Sequence, residues 1–312
     1  MSRRSAVLLM GPTGAGKSDL ALRLVERFPL EIVSVDSALV YRGMDIGTAK
    51  PEAAIRARVV HHLVDIRDPA AGYSAGEFVR DAGEAMQAIW ARGRRPLLVG
   101  GTMLYFHALT EGIAELPEAN PEVRARIDAA AARDGWPALH ERLRRLDPEA
   151  AARIHAHDPQ RIQRALEVHE LTGIPISELQ RRRRPAFEDV EFDEFALIPG
   201  SRASLHAVLA TRFDAMMRAG FLEEVRALYR RGDLCGEHPA MRAVGYRQLW
   251  KYLAGEWPLD LAIEKAIAAS RQLAKRQLTW LRQRARARVF DPLQAEAART
   301  LDAAISCSTA HE

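Results

Sequence analysis

The chain has 312 residues, 48% hydrophobic and 28% charged, which is the balance of a folded globular protein with room for one large domain or two modest ones. No apolar run approaches the roughly 20 residues of a membrane span, and two cysteines, Cys235 and Cys307, form neither a disulfide framework nor a metal cluster. Membrane proteins and disulfide scaffolds are thereby excluded, a reducing cytoplasm is expected, and the +4 net charge, carried almost wholly by arginine with only five lysines, suits phosphates and bases.

Near the N-terminus, Ser2-Arg3-Arg4 followed by apolar Ala6 to Met10 faintly resembles a signal peptide. The apolar stretch is too short for one and runs straight into a glycine-rich segment, so it is read as a first strand. Gly11-Pro12-Thr13-Gly14-Ala15-Gly16-Lys17-Ser18 then fits G-x-x-x-x-G-K-[ST] at every fixed position, the pattern of nucleotide (ATP)-binding loops. Asp19 to Phe28 follows with Leu20, Leu22, Leu24, Val25 and Phe28 at helical spacing. Strand, loop and helix together turn backbone N–H groups and a helix N-terminus toward phosphate oxygens. Lys17 would reach the outer phosphates and the Ser18 hydroxyl would ligate Mg2+.

Glu31 to Val35 is a second strand ending at Asp36-Ser37. Ser74-Ala-Gly-Glu77 is a capping box opening a helix through Phe78, Ala82, Ala85, Met86, Ile89 and Trp90, stopped by Gly93. Pro96 to Val99 is a third strand, closed by Gly100-Gly101-Thr102, and a helix over Met103 to Leu109 follows. Alternating strands and helices predict an α/β fold: a parallel-sheet core with helices on its faces, of the P-loop NTPase type. Sites in such sheets lie at the carboxyl ends of the strands, where the phosphate loop, Asp36-Ser37 and Gly100–Thr102 all fall.

From about Gly112 the strands stop. Helix starts at Pro121, Asp147-Pro148 and Asp158-Pro159 predict an inserted all-helical domain over 112–193, between a first core part (1–111) and a completing part (194–312). Gln180 to Pro185 is its exit segment, Glu194 to Ile198 returns to the sheet, and 203–288 is expected to be helical. The pairs His61-His62 and His155/His157 have no Cys or acid at ligand spacing and are read as structural.

Asp36, at a strand end beside the loop, can orient Mg2+, accept a proton or merely cap the next turn. The third strand ends in glycine and threonine rather than the acid that a hydrolysing P-loop enzyme uses to position water, which argues against a motor or helicase. The Thr102 hydroxyl can bind a phosphate oxygen or cap its helix. Arg271 to Arg288 holds Arg271, Lys275, Arg276, Arg282, Arg284, Arg286 and Arg288 with no acid. On one continuous helix Arg271, Lys275, Arg282 and Arg286 share a sector opposite Leu273 and Trp280, a basic face with an apolar back that suits nucleic acid. Gln160-Arg161-Ile162-Gln163-Arg164 is a second candidate surface, with Gln and Arg outward and Ile162 inward, although an ordinary amphipathic helix has the same spacing.

Several of these stretches resemble the tRNA dimethylallyltransferases, also called tRNA isopentenyltransferases. They are Gly11–Ser18, Ser34–Lys50, Gly100–Tyr105, Pro159–Leu166, Met241–Gln248 and Arg271–Trp280, in the same order over nearly the whole chain. The resemblance implies a P-loop core with an inserted helical domain, and transfer of a dimethylallyl group to N6 of adenine 37 in tRNAs reading codons that begin with U. The phosphate loop would then hold the diphosphate of dimethylallyl diphosphate, with Mg2+. It also implies catalytic roles for Asp36 as proton acceptor, and for Thr102 and Arg212 on the leaving diphosphate. Contacts to tRNA are implied at Asp36, Ser37, Ala38, Leu39, Thr102 and Arg124; at Gln160, Arg161, Ile162, Gln163 and Arg164; at Met241, Arg242, Ala243, Val244, Gly245, Tyr246 and Arg247; and at Leu273, Lys275, Arg276 and Trp280. The expectation is a cytoplasmic monomer. A small-molecule P-loop kinase would also explain the loop and Asp36, but not the acid-free basic segment or the size of the helical insertion.

Overall fold

The computed structural model describes residues 4–292, 300, 302–303 and 305–306, so Cys307 lies outside the described residues. Six strands form one sheet: β1 (Arg4–Met10), β2 (Leu30–Val35), β3 (His61–His62), β4 (Arg95–Gly100), β5 (Val190–Leu197) and β6 (Arg288–Phe290). Their order is β3-β2-β4-β1-β5-β6 and every pairing is parallel. Both faces of the central strands are covered, so Ala6 to Met10 and Leu30 to Val35 are buried throughout rather than alternating. Leu20, Ala21 and Leu24 of α1 (Lys17–Arg27) pack with Val7, Leu9, Ile32 and Leu97. Helix α2 (Ala53–Arg58) is a short surface turn that buries no residue. Helix α3 (Ala75–Ala91) packs on β2 and β4 through Phe78, Ala82, Met86 and Ile89. It starts where the capping box put it: Ser74 Oγ accepts from Glu77 N–H at 3.1 Å, and Glu77 Oε2 accepts from Ser74 N–H at 2.8 Å. Helix α4 (Met103–Glu111) follows β4.

Two compact units divide the chain, one of Met1–Phe106 with Phe187–Glu312 and one of His107–Ala186. The second holds α5 (Pro121–Asp134), α6 (Trp136–Leu146), α7 (Pro148–Arg153), α8 (Pro159–Thr172) and α9 (Ile176–Arg181) around Ile127, Leu143, Ile162, Leu166 and Val168. Asn120, Asp147 and Asp158 cap α5, α7 and α8, each followed by proline at the first helical position. Against the expected 112–193, the helical unit spans His107–Ala186, and β5 already begins at Val190. Its first half, Val190-Glu-Phe-Asp193, is partly exposed and acidic, so no apolar run announces it.

In the first unit the chain continues through α10 (Arg202–Arg218), α11 (Phe221–Tyr229), α12 (Tyr246–Leu253) and α13 (Leu259–Arg282). Helix α12 packs on α11 and α13, and α10 packs on α13. The helical expectation for 203–288 fails at its end: α13 stops at Arg282 and Arg288 enters β6. The two short strands β3 and β6 have too few residues to show a period, and pairing to β2 and β5 alone makes them strands.

Candidate active site

The phosphate loop leaves β1 and enters α1 through Gly16, whose φ of 73° is one that glycine adopts without strain. The Lys17 side chain folds back over the loop, its Nζ donating to the Pro12 carbonyl at 2.7 Å. Burial lowers the Lys17 pKa to about 8; Asp36 opposes that shift and Arg212 adds to it. Arg212, on α10, is likewise held below the usual guanidinium range by burial, against the pull of Asp36 and Asp19. It makes no ion pair within the described residues. Two desolvated cations facing each other without a full counter-ion are a preorganised anion cradle.

Asp36 meets both of its readings. Oδ1 accepts the N–H groups of Ala38 at 2.8 Å and Leu39 at 3.3 Å, a turn cap that fixes the carboxylate plane. Oδ2 makes no hydrogen bond within the described residues and is left for a ligand. Thr102 joins two strand ends: its N–H donates to the Val35 carbonyl at 3.2 Å, and its Oγ1 accepts from Ser37 N–H at 3.0 Å.

Two cavities meet around Asp36. One, about 330 Å3, is lined by the loop from Thr13 to Ser18 and by Asp19, Ser34, Val99 and Arg212. The other, about 520 Å3, is lined by Ser37, Ala38, Thr102, Phe213, Arg242, Ala243, Tyr246, Leu273, Arg276 and Trp280 among others. Thr13, Asp36, Thr48, Gly101, Arg212 and Gln277 line both. A charged ligand entering by the loop and a second reactant entering by the larger cavity would therefore meet at one carboxylate.

Residues 39–284 match the IPP transferase family. The chain belongs to that family. Among its relatives, the tRNA dimethylallyltransferase of Nitrosococcus oceani is 59% identical over 290 residues, 93% of this chain and 92% of the other. That of Bordetella pertussis is 56% identical, with 97% and 98% covered. The solved full-length tRNA isopentenylpyrophosphate transferase of Bacillus halodurans superposes with a TM-score of 0.71 at 34% identity, covering 98% of this chain and 96% of that one. A eukaryotic dimethylallyltransferase solved acting on tRNA gives a TM-score of 0.80 at 25% identity, covering 98% and 79%.

In this family member the oxygen donors near the loop fit a hard cation. Ser18 is exposed and makes no hydrogen bond within the described residues, and Ser34 Oγ is buried in the same cavity without a partner. No cluster of three His, Cys, Asp or Glu ligands exists among the described residues. Hydroxyl and phosphate oxygens plus water suit Mg2+, which rarely uses an all-protein cage.

Several residues at the implied tRNA contacts have partners within the chain. Arg124 makes a bidentate pair with the fully buried Glu167, at 2.8 and 3.1 Å, and Arg164 donates to the same carboxylate at 2.7 Å. Both guanidiniums hold the helical unit together. Gln163 Nε2 donates to Asp128 at 2.6 Å, Arg161 lies 3.5 Å from Asp158, and Gln160 remains exposed. Ile162 and Met241 are core side chains at 0% exposure, so neither side chain reaches a ligand, and Gly245 is buried too. Arg247 is exposed, whereas Arg242 pairs with Glu237 at 2.8 Å.

On α13 the face assignment also changes. Ala262, Ala266, Ala274, Leu278 and Leu281 form the packed side, while Leu273 and the exposed Trp280 line the larger cavity. Arg271, Lys275, Arg276 and Arg282 are exposed and form no ion pair among the described residues. Arg286 lies beyond the helix, and Arg284 pairs with the buried Glu194 at 2.6 Å. Buried alanines carried too weak an apolar signal to mark the packed face.

Two site residues escaped sequence reasoning. Gln277 bridges the loop and the turn after β4 through Thr13 and Gly101. Glu224 accepts the N–H groups of Asp45, Ile46 and Gly47 at 2.9, 2.7 and 3.1 Å and the Tyr246 hydroxyl, holding the Gly47-Thr48 wall of the larger cavity. Neither has a local pattern that separates it from an ordinary helix residue.

Proposed function

We propose that the protein transfers a dimethylallyl group from dimethylallyl diphosphate to N6 of adenine 37 in tRNAs reading codons that begin with U, releasing diphosphate. The observation that carries this reading is the pair of cavities sharing Asp36 and Arg212, one floored by the phosphate loop and the other lined by Arg276 of α13, which forms no ion pair among the described residues. The relatives' names supply the substrate class.

Diphosphate leaves from an allylic carbon, whose developing positive charge spreads over the allyl unit. The chain's task there is to stabilise the leaving group, and Lys17, Arg212 and the loop N–H groups are aimed at it. Mg2+, which the Ser18 hydroxyl would help to hold, would supply further charge neutralisation on the diphosphate. The exocyclic amine must lose a proton as the C–N bond forms. Asp36 Oδ2 accepts it, with Oδ1 anchored so that the carboxylate keeps its orientation. Thr102 and Ser37 brace the same strand ends. No water is activated, which agrees with β4 ending in Gly100-Gly101-Thr102 rather than an acid.

The adenine reaches Asp36 only if flipped from its stack into the larger cavity. Ser37, Ala38, Arg242, Ala243, Val244, Arg276 and Trp280 line that approach. The kinase alternative leaves the α13 cations without a role and finds no support in the family match. No described helix is long and apolar enough to cross a membrane. The proposed reading has the protein act on tRNA as a cytoplasmic monomer.

The test is transfer itself. Protein, Mg2+, dimethylallyl diphosphate and an unmodified tRNA with adenines at positions 36 and 37 are incubated, and the digested tRNA is weighed by mass spectrometry. The expected result is one dimethylallyl unit on adenine 37, abolished in Asp36→Ala with tRNA affinity retained. ATP consumption with a small hydroxyl compound and no transfer would overturn the reading; lost tRNA affinity in Asp36→Ala would overturn the role of Asp36 as base.

A further inference from the structure

We propose that Gln277 is a positioning residue that couples the RNA-facing surface of α13 to the phosphate loop, a role that rests on the function proposed above. Its side chain is nine-tenths buried, and both ends are used. Oε1 accepts the Thr13 N–H at 2.9 Å and Nε2 donates to the Gly101 carbonyl at 2.8 Å. One amide therefore ties together the loop after β1, the segment just after β4 and the C-terminal part of α13. The amide has a single satisfying orientation, because turning it over would set two donors and two acceptors against each other.

The neighbourhood is shaped for this contact. A Cβ at Gly101 would come within 2.4 Å of the Gln277 Nε2, so the close approach depends on glycine there. Leu273, Arg276 and Trp280, one turn either side of or adjacent to Gln277, line the larger cavity. Ala274 and Leu278 are buried and hold the helix against α10, which carries Arg212. A shift of α13 on binding RNA would thus be felt by the Thr13 peptide without passing through a flexible segment. Thr13 is the residue just before the left-handed Gly14, and its peptide orientation sets how the following N–H groups face a diphosphate.

The consequence is a linkage: RNA on α13 and diphosphate in the loop should strengthen each other by the same factor. Gln277→Met keeps the length and burial of the side chain and removes both hydrogen bonds. Gln277→Glu keeps the acceptor for Thr13 and turns the other contact repulsive. The probes are inorganic diphosphate with Mg2+ and an unmodified tRNA anticodon stem–loop, each titrated calorimetrically with and without the other.

Wild-type protein is expected to show a coupling of about tenfold, within the usual range for linked sites. In Gln277→Met the factor falls to within twofold of unity. Gln277→Glu, which keeps only the Thr13 bond, should show a reduced coupling. A melting curve and near-UV spectrum like wild type show that the variants are folded, and Gly101→Ala offers a second way to displace the amide if Gln277→Met fails to fold. An unchanged coupling factor in the folded variants, or wild-type protein that binds both probes with no coupling, would overturn the proposal. Wild-type protein that binds no stem–loop and transfers nothing would instead overturn the function on which it rests.

Discussion

The lowered pKa of Lys17 makes diphosphate affinity depend on pH in a way that can be worked out in advance. In the free protein the ammonium titrates at about 8 because burial strips its water. A bound diphosphate supplies the missing counter-charge and returns the group to its ordinary range. Only the charged form binds well, so affinity should be flat below pH 7, fall about twofold at pH 8, and fall about tenfold, or about 1.4 kcal/mol, at pH 9. Above pH 8 binding should take up a proton, visible as a dependence of the binding heat on the buffer's ionisation enthalpy. Lys17→Arg keeps the charge at every pH and should flatten the curve, whatever the ionisation of the ligand itself contributes. For the free protein the sign is also fixed. The folded value lies below the unfolded one of 10.5, so the unfolded chain binds more protons between pH 8 and 10.5 and stability rises across that window. Calorimetric titration of inorganic diphosphate from pH 6.5 to 9 is the assay. Equal slopes in wild type and Lys17→Arg would refute the argument, since the pH dependence would then belong to another group.

Two further outcomes are expected. Replacing both Lys275 and Arg276 by alanine should weaken tRNA binding without changing which sequence is preferred, and should lower the slope of log affinity against log salt by about 1 to 2 if each cation meets one phosphate; an unchanged slope would remove α13 from the RNA surface. Glu31 is held down to about 2, first by the Arg92 hydrogen bonds and then by His62, with burial opposing. Its folded value lies below the ordinary one of 4.5, so its contribution is present above pH 4.5 and is lost as pH falls toward 2. Glu31→Gln should therefore destabilise the protein near pH 7 and cost almost nothing near pH 2. Urea melts at both pH values check this, and an equal loss at both would show the effect is packing rather than charge.

What the sequence by itself determined is local. The glycine-rich loop, the Ser74 capping box and the proline starts at Pro121, Pro148 and Pro159 each depend on residues within a few positions of one another, and each appears where the pattern predicts it. The apolar runs of β1, β2 and β4 were legible because both sheet faces are buried. Asp36 and Thr102 were legible as candidates because strand ends of a parallel sheet converge. Tertiary structure alone decided the rest. Arg124 and Arg284 carry the same guanidinium as Arg276, yet both are spent on buried Glu167 and Glu194, 43 and 90 positions away in the chain. Gln277 lies 264 positions from Thr13 and 176 from Gly101, and Glu224 lies about as far from the wall it holds. A charged or amide group in water is free to face anything. Folding closes that choice, because each such group that loses its water must find a partner, and the partner's identity depends on which distant segments the sheet and helices have brought within 3 Å.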